Sequence, residues 1–251
     1  MQSRCPLTSP VTLLLLPGLD GTEVFFQPLI AALPAWVRPV VVTYPITGAN
    51  GYADLLPLVE VAVADIETFY ILGWSFSGPL ALMLAAKEPQ RTQGVILSAS
   101  FVCPPLPFLP WVRFAISPAL VTLIRLVRRI PGLVPGRWPE QFKRDKAVMW
   151  KRIPAAVLAA RAQAILTVNA RDSLRACGAP ILYLVGSHDR VVPHWNAQAI
   201  LAEAAKTQIV TIEGPHLAMY TNPKAAAAVI TEFMQVQTAI ESPQKGGESH
   251  W

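Results

Sequence analysis

Leu72-Gly73-Trp74-Ser75-Phe76-Ser77-Gly78-Pro79 marks the place where an apolar run stops and a helix-like run begins. Gly73, Ser77 and Gly78 are small enough to let a backbone turn sharply from strand to helix, which leaves the Ser75 hydroxyl at the apex. A serine so placed is a candidate nucleophile. Its hydroxyl is weakly nucleophilic until a base takes the proton, and the base works best when a carboxylate fixes its tautomer. The rest of the chain must therefore supply a base, an acid, donors for an oxyanion and a cover for the substrate.

Working outward, continuous apolar runs at 12–16, 39–44, 69–74, 94–99 and 181–185 suit strands buried on both faces of a parallel sheet, and 207–212 is a weaker, more polar sixth. Helix-period stretches at 24–33, 52–67, 77–87, 193–205 and 222–236 separate them. Such alternation predicts βαβ units. A helical bundle would not explain why the apolar runs end repeatedly in Gly or Pro.

Between 102 and about 170 the alternation breaks. Nine prolines from Pro104 to Pro154 punctuate short helical patterns such as 119–130 and 155–168. This stretch carries eleven basic residues against Glu140 and Asp145, a net of +9; the ten bases and fourteen acids elsewhere leave −4, within a total of +5. We expect a helical lid at 102–170, a core formed by 1–101 and 171–240, and a flexible polar tail at 241–251.

Four histidines make the search for the base short. His216 follows the last strand in Glu213-Gly214-Pro215-His216-Leu217, at a strand's C-terminal end, where open α/β sheets place their ligands. His188 and His194 read as solvated loop histidines, and His250 lies in the tail. Asp189, in Gly186-Ser187-His188-Asp189-Arg190-Val191-Val192-Pro193, follows the fifth strand. It reads as the acid or as a helix-capping aspartate, with Asp172 and Asp20 as competing carboxylates. Acyl transfer also needs donors for the developing oxyanion, each worth about 3 kcal/mol. The Phe76 N–H, next after the nucleophile, is one; the Leu19 N–H, in the turn Pro17-Gly18-Leu19-Asp20-Gly21, is our choice for the second.

The turn 17–21, the elbow 73–77, the acid motif 186–193 and Gly214-Pro215-His216 together resemble the α/β-hydrolase superfamily over about residues 11–236. The order Ser75, Asp189, His216 is the one that fold uses. The helical lid is similar to that of small bacterial carboxylesterases, including those acting on pimeloyl-acyl-carrier-protein methyl ester. The resemblance implies a mainly parallel sheet and assigns the nucleophile to Ser75, the acid to Asp189, the base to His216 and the oxyanion donors to Phe76 and Leu19. The chain departs from the pattern in three ways. Pro17 stands where the superfamily often has His, Ser77 stands where the elbow usually has a second Gly, and the two opening strands are missing, which leaves about six.

Trp74, Phe108, Trp111, Phe114, Trp150 and Leu217 are candidates to line the substrate pocket. Arg125, Arg128 and Arg129 fall on one stripe of an otherwise apolar helix. That stripe is either a solvated basic face or a docking face for an acidic acyl carrier protein or an anionic membrane surface. The bases lack stacking aromatics in any recognisable motif, which argues against nucleic acid. The uncharged run 114–124 is too short to span a bilayer and contains Pro118, and 11–16 is too short for a signal peptide, so we expect a cytoplasmic protein without a transmembrane segment. Cys5, Cys103 and Cys177 have neither disulfide nor metal spacing. No metal or organic cofactor is expected. The reading is a serine hydrolase of short to medium acyl esters; a thioesterase or an enzyme for carrier-bound acyl chains is its closest rival, and a non-catalytic binding module on the same fold is the alternative from another class.

Overall fold

Leu13, Leu14, Leu15 and Leu16 are all fully buried, with Leu14 and Leu16 packed in one hydrophobic cluster and Leu13 and Leu15 in the other. A strand covered on both faces has to be apolar at consecutive positions, and each such leucine contributes about 2 kcal/mol of burial. The computed structural model describes residues 10–106, 115–127 and 139–241, with backbone alone for 239–241. Among them six parallel strands form one sheet in the order β2-β1-β3-β4-β5-β6. They are β1 (Val11–Leu16), β2 (Val37–Val41), β3 (Phe69–Trp74), β4 (Thr92–Ser98), β5 (Ile181–Gly186) and β6 (Thr207–Ile212). The parallel sheet expected from the apolar runs is present, and the polar sixth run is the edge strand β6, which explains its weaker pattern.

Helices α1 (Gln27–Ala32), α2 (Tyr52–Ala62) and α3 (Gly78–Lys87) belong to the first half. Among the described residues four helices lie between β4 and β5: α4 (Pro118–Val127), α5 (Glu140–Arg152), α6 (Ala155–Ile165) and α7 (Arg171–Ala176). After β5 come α8 (Trp195–Glu203), α9 (Ala218–Thr221) and α10 (Pro223–Glu241). Helices α2, α3 and α8 pack on one face of the sheet, and α1 and α10 on the other. The backbone N–H of Ala170 donates to Val102 O at 2.8 Å, so the two ends of the stretch that interrupts the alternation meet.

Three boundaries differ from the sequence reading for physical reasons. Strand β2 spans Val37–Val41; Val42 N–H makes the last bond to β1, at 3.0 Å to Leu15 O, and Tyr44 N–H donates to Gly21 O of the following turn at 2.9 Å. Helix α2 stops at Ala62 rather than 67: Arg91 donates to the carbonyls of Val63 and Ile66 and ends the helix from outside. Helix α6 ends at Ile165, where Leu166 and Thr167 N–H bond three residues back. Helix α5 has no counterpart in the reading, since its charged sequence EQFKRDKAVMWKR hides the two residues it buries, Phe142 and Met149.

The topology positions the site. β1 is flanked by β2 on one side and β3 on the other, with Leu16 in register with Gly73. The turn after β1 and the elbow after β3 therefore emerge side by side at the C-terminal edge, at the point where the strand order reverses.

Candidate active site

Ser75 takes φ +50°, a left-handed conformation that is rare for a residue with a side chain. It costs roughly 1–2 kcal/mol and is sustained only where the surroundings fix it. Here a short 3-10 turn over Ser75–Ser77 links β3 to α3. Ser100 Oγ donates to the Ser75 carbonyl at 2.6 Å. Gly73 has no room for a side chain: a Cβ there would lie 2.6 Å from the Ser77 carbonyl oxygen and 2.9 Å from Gly78 Cα.

The elbow brings Ser75 Oγ to 2.9 Å from His216 Nε2, and His216 Nδ1 lies 2.8 Å from Asp189 Oδ2. An ionised carboxylate only accepts, so the ring proton sits on Nδ1 and the Nε2 lone pair faces the serine hydroxyl. Asp189 does not cap the helix that follows, whose N-cap is His194 without a side-chain cap bond; it braces its own loop and faces His216. Its Oδ1 accepts the N–H groups of Val191 and Val192 at 2.8 and 3.0 Å, which caps the loop, while Oδ2 takes His216. Burial acts to raise the Asp189 pKa, but the hydrogen bond from His216, the attraction to that ring when it is protonated and the two backbone donors outweigh it and hold the carboxyl below its ordinary range. The loops carrying these two residues are themselves joined, through His188 N–H to Gly214 O at 2.9 Å and Gly214 N–H to Ser187 Oγ at 3.2 Å.

The competing residues lie elsewhere. His188 and His194 are exposed, His250 lies outside the described residues, and Asp172 is an exposed partner of Arg175. Asp20 is buried beside Thr22, whose N–H and hydroxyl it accepts. Of the residues considered for the pocket, Trp74 is buried between Phe25 and Phe26, with its ring 6.5 Å from that of His216. Leu217 is half-buried next to His216, and Trp150 is half-buried beneath the Arg125 guanidinium at 4.7 Å. Phe108, Trp111 and Phe114 lie outside the described residues.

One expectation about charge needs correction, and one charge lies where none was anticipated. Arg125 donates to Ile153 O at 2.5 Å and covers Trp150, so it ties α4 to the end of α5 instead of heading an open basic stripe; Arg128 and Arg129 lie outside the described residues. Arg161, counted above in the net charge of 102–170, is completely buried.

The two departures at Pro17 and Ser77 meet in space. Ser77 Oγ donates to the Pro17 carbonyl, so its one proton is used and the 2.6 Å contact to Tyr44 must be donated by the tyrosine hydroxyl. A glycine at 77 would leave that carbonyl and that hydroxyl without this partner.

A model of the alpha/beta hydrolase family matches residues 13–229. The chain belongs to the alpha/beta hydrolase family. This hydrolase is 27% identical, over 74% of its length and 77% of the relative's, to a pimeloyl-[acyl-carrier protein] methyl ester esterase of Yersinia enterocolitica. It is also 27% identical, over 94% of its length, to a biotin biosynthesis bifunctional protein of Cellvibrio japonicus, of which it spans half. Its fold is similar to that of a hydrolase from Pseudomonas aeruginosa PA01, with a TM-score of 0.74, 21% identity and 90% of each chain covered. The fold and family anticipated from the elbow are thus present, and family and relatives accord with a hydrolase of carboxylesterase type. Among the described residues no helix is long and apolar enough to cross a membrane.

Sequence reasoning missed Arg161, Tyr44 and Ser100. Arg161 had one usable signal: it is the lone charge in the helix AAVLAARAQAI, whose other residues are apolar except Gln163.

Proposed function

We propose that the protein is a serine carboxylesterase that cleaves short to medium acyl esters through an acyl-enzyme on Ser75. The observation that carries this reading is the continuous line Ser75 Oγ, His216, Asp189, with both links under 3 Å. Ser75 Oγ attacks the ester carbonyl as its proton passes to His216 Nε2. Asp189 holds the imidazolium that forms, and the N–H groups of Leu19 and Phe76 stabilise the oxyanion. Collapse of the tetrahedral intermediate expels the alcohol, which takes the proton back from His216. Water then repeats the sequence on the acyl-enzyme and releases the acid. Phe76 serves through its backbone alone, because its side chain is fully buried against Tyr52 with ring centroids 4.8 Å apart. Hydrolysis of p-nitrophenyl butyrate by wild type and Ser75→Ala tests the proposal: the variant should lose about 10⁵-fold or more in turnover, and equal rates would remove Ser75 from the chemistry.

A second reading keeps this machinery and gives it an acyl group on an acidic carrier protein. It is favoured by the names of the relatives and by the exposed bases Lys143, Arg144, Lys151 and Arg152 on α5. Charge reversal at Lys143, Arg144 and Lys151 should then slow a carrier-bound ester and leave p-nitrophenyl butyrate unaffected; equal effects on both substrates would reject the carrier.

A further inference from the structure

We propose that Arg161 is a positioning residue for the oxyanion site: its guanidinium, delivered from α6, locks the 17–21 turn in the orientation that presents the Leu19 N–H. This rests on the reading of Leu19 as an oxyanion donor. A guanidinium has five N–H groups, and all five are used. Nη1 donates to the carbonyls of Leu19 and Asp20 at 3.0 and 2.7 Å, Nη2 to Pro45 O and Asn50 Oδ1 at 2.8 Å each, and Nε to Asn50 Oδ1 at 3.1 Å. The acceptors are three backbone carbonyls and one amide. None is a carboxylate; the buried Asp20 side chain acts on the guanidinium through its charge and not through a hydrogen bond.

Every carbonyl of the turn has a donor, and Arg161 supplies two of the five. Pro17 O accepts Ser77 Oγ, Gly18 O accepts Gly21 N–H at 3.0 Å, Leu19 O and Asp20 O accept Arg161, and Gly21 O accepts Tyr44 N–H at 2.9 Å. In a trans peptide the N–H points opposite to the C=O. The Gly18 carbonyl is directed across the turn to Gly21, so the Leu19 N–H of the same peptide points away from the turn's own bond, and among the described residues that N–H has no acceptor. Arg161 fixes the next two peptide planes and so blocks the rotation that would swap donor for carbonyl. The fit is close: Gly21 has φ +70°, and a Cβ there would lie 2.3 Å from Nη1.

Burying a cation is expensive, and an apolar side chain of similar length could fill the space without that cost. Burial lowers the Arg161 pKa to about 10, so the group stays charged near neutrality and its hydrogen bonds stay charge-assisted. The guanidinium also lies over the Tyr44 ring, 5.4 Å from its centroid, and Tyr44 reaches Ser77 in the elbow. One residue of the insertion thus joins the turn to the nucleophile's own support.

Kinetics of p-nitrophenyl butyrate hydrolysis by Arg161→Met, with inhibition by an alkyl trifluoromethyl ketone that forms a tetrahedral oxyanion on Ser75, tests this. Loss of donor alignment predicts a fall in kcat of about 10²-fold, KM within twofold of wild type, and ketone affinity reduced in step with kcat/KM. A folded Arg161→Met with wild-type kcat, or with a loss confined to KM, would overturn the proposal. Should Arg161→Met not fold, Asn50→Ala leaves the arginine in place and removes the acceptor of two of its bonds. It should give a smaller fall in kcat at constant KM, and unchanged kcat would overturn the proposal. Ser75→Ala is assayed alongside: turnover without Ser75 would defeat the esterase reading, whereas an inactive Ser75→Ala beside an unimpaired Arg161→Met would defeat the positioning role alone.

Discussion

The elbow at 73–79 and helix α4 are both runs of small and apolar residues bounded or opened by proline, yet they end in opposite conditions. At the elbow Ser77, Gly78 and Pro79 are buried, and the Ser77 hydroxyl and the Ser75 carbonyl each have a partner. Helix α4 buries no side chain, and Leu123 and Leu126 are 54% and 61% exposed. The difference is one of neighbours. The elbow lies between β1 and β4 and beneath α3, whereas α4 packs chiefly on α6. Geometry that must hold to a few tenths of an ångström sits where strands and α3 cover it, and the more weakly held element packs on another helix instead.

If that contrast is right, changes at the supported site should cost far more than changes on α4. The largest effect is expected from Asp189→Asn, which keeps the shape but offers His216 the wrong partner: kcat should fall about 10⁴-fold. Because the Asp189 carboxyl is held below its ordinary value of 3.8, its stabilising contribution is complete above that pH and is lost as the pH falls through the lowered value. Urea unfolding at descending pH should accordingly show the stability gap between wild type and Asp189→Asn narrowing on acidification.

Next comes Gly73→Ala. The added methyl meets backbone at 2.6 Å, so the elbow itself has to shift, and a loss of about 3 kcal/mol in denaturant unfolding is expected together with lost turnover. Ser77→Ala removes the donor to Pro17 and the acceptor of Tyr44, both buried, at a cost of about 2 kcal/mol. A wild-type melting temperature for that variant would show the bond between the two departures to be incidental. The smallest effect belongs to α4: Leu126→Ser should change stability by less than about 0.5 kcal/mol. A larger loss would mean that α4 is as firmly supported as the elbow.

What could be read in advance follows the same division. The meeting of Ser75, Asp189 and His216 was legible because each follows the C-terminal end of a strand, Ser75 and Asp189 after fully apolar runs and His216 after the more polar β6, so local pattern and chain order sufficed. The strands of the sheet interior were legible because burial on both faces forces an unbroken apolar run. Arg161 was not, because its partners are backbone carbonyls more than a hundred residues away, and a carbonyl leaves no trace in side-chain identity. Arg125 misled for the complementary reason: its helical spacing suggested a stripe, but Trp150 and the Ile153 carbonyl at the end of α5 draw it inward. The stop of α2 at Ala62 was hidden by another long-range arginine, Arg91.

The acyl-enzyme on Ser75 can be examined without reference to any natural substrate. Intact-mass analysis and peptide mapping after incubation with an alkyl fluorophosphonate should show one adduct, on the peptide containing Ser75, with none on Ser75→Ala. An active, folded protein that stays unlabelled, or that carries the adduct on another residue, would contradict the account.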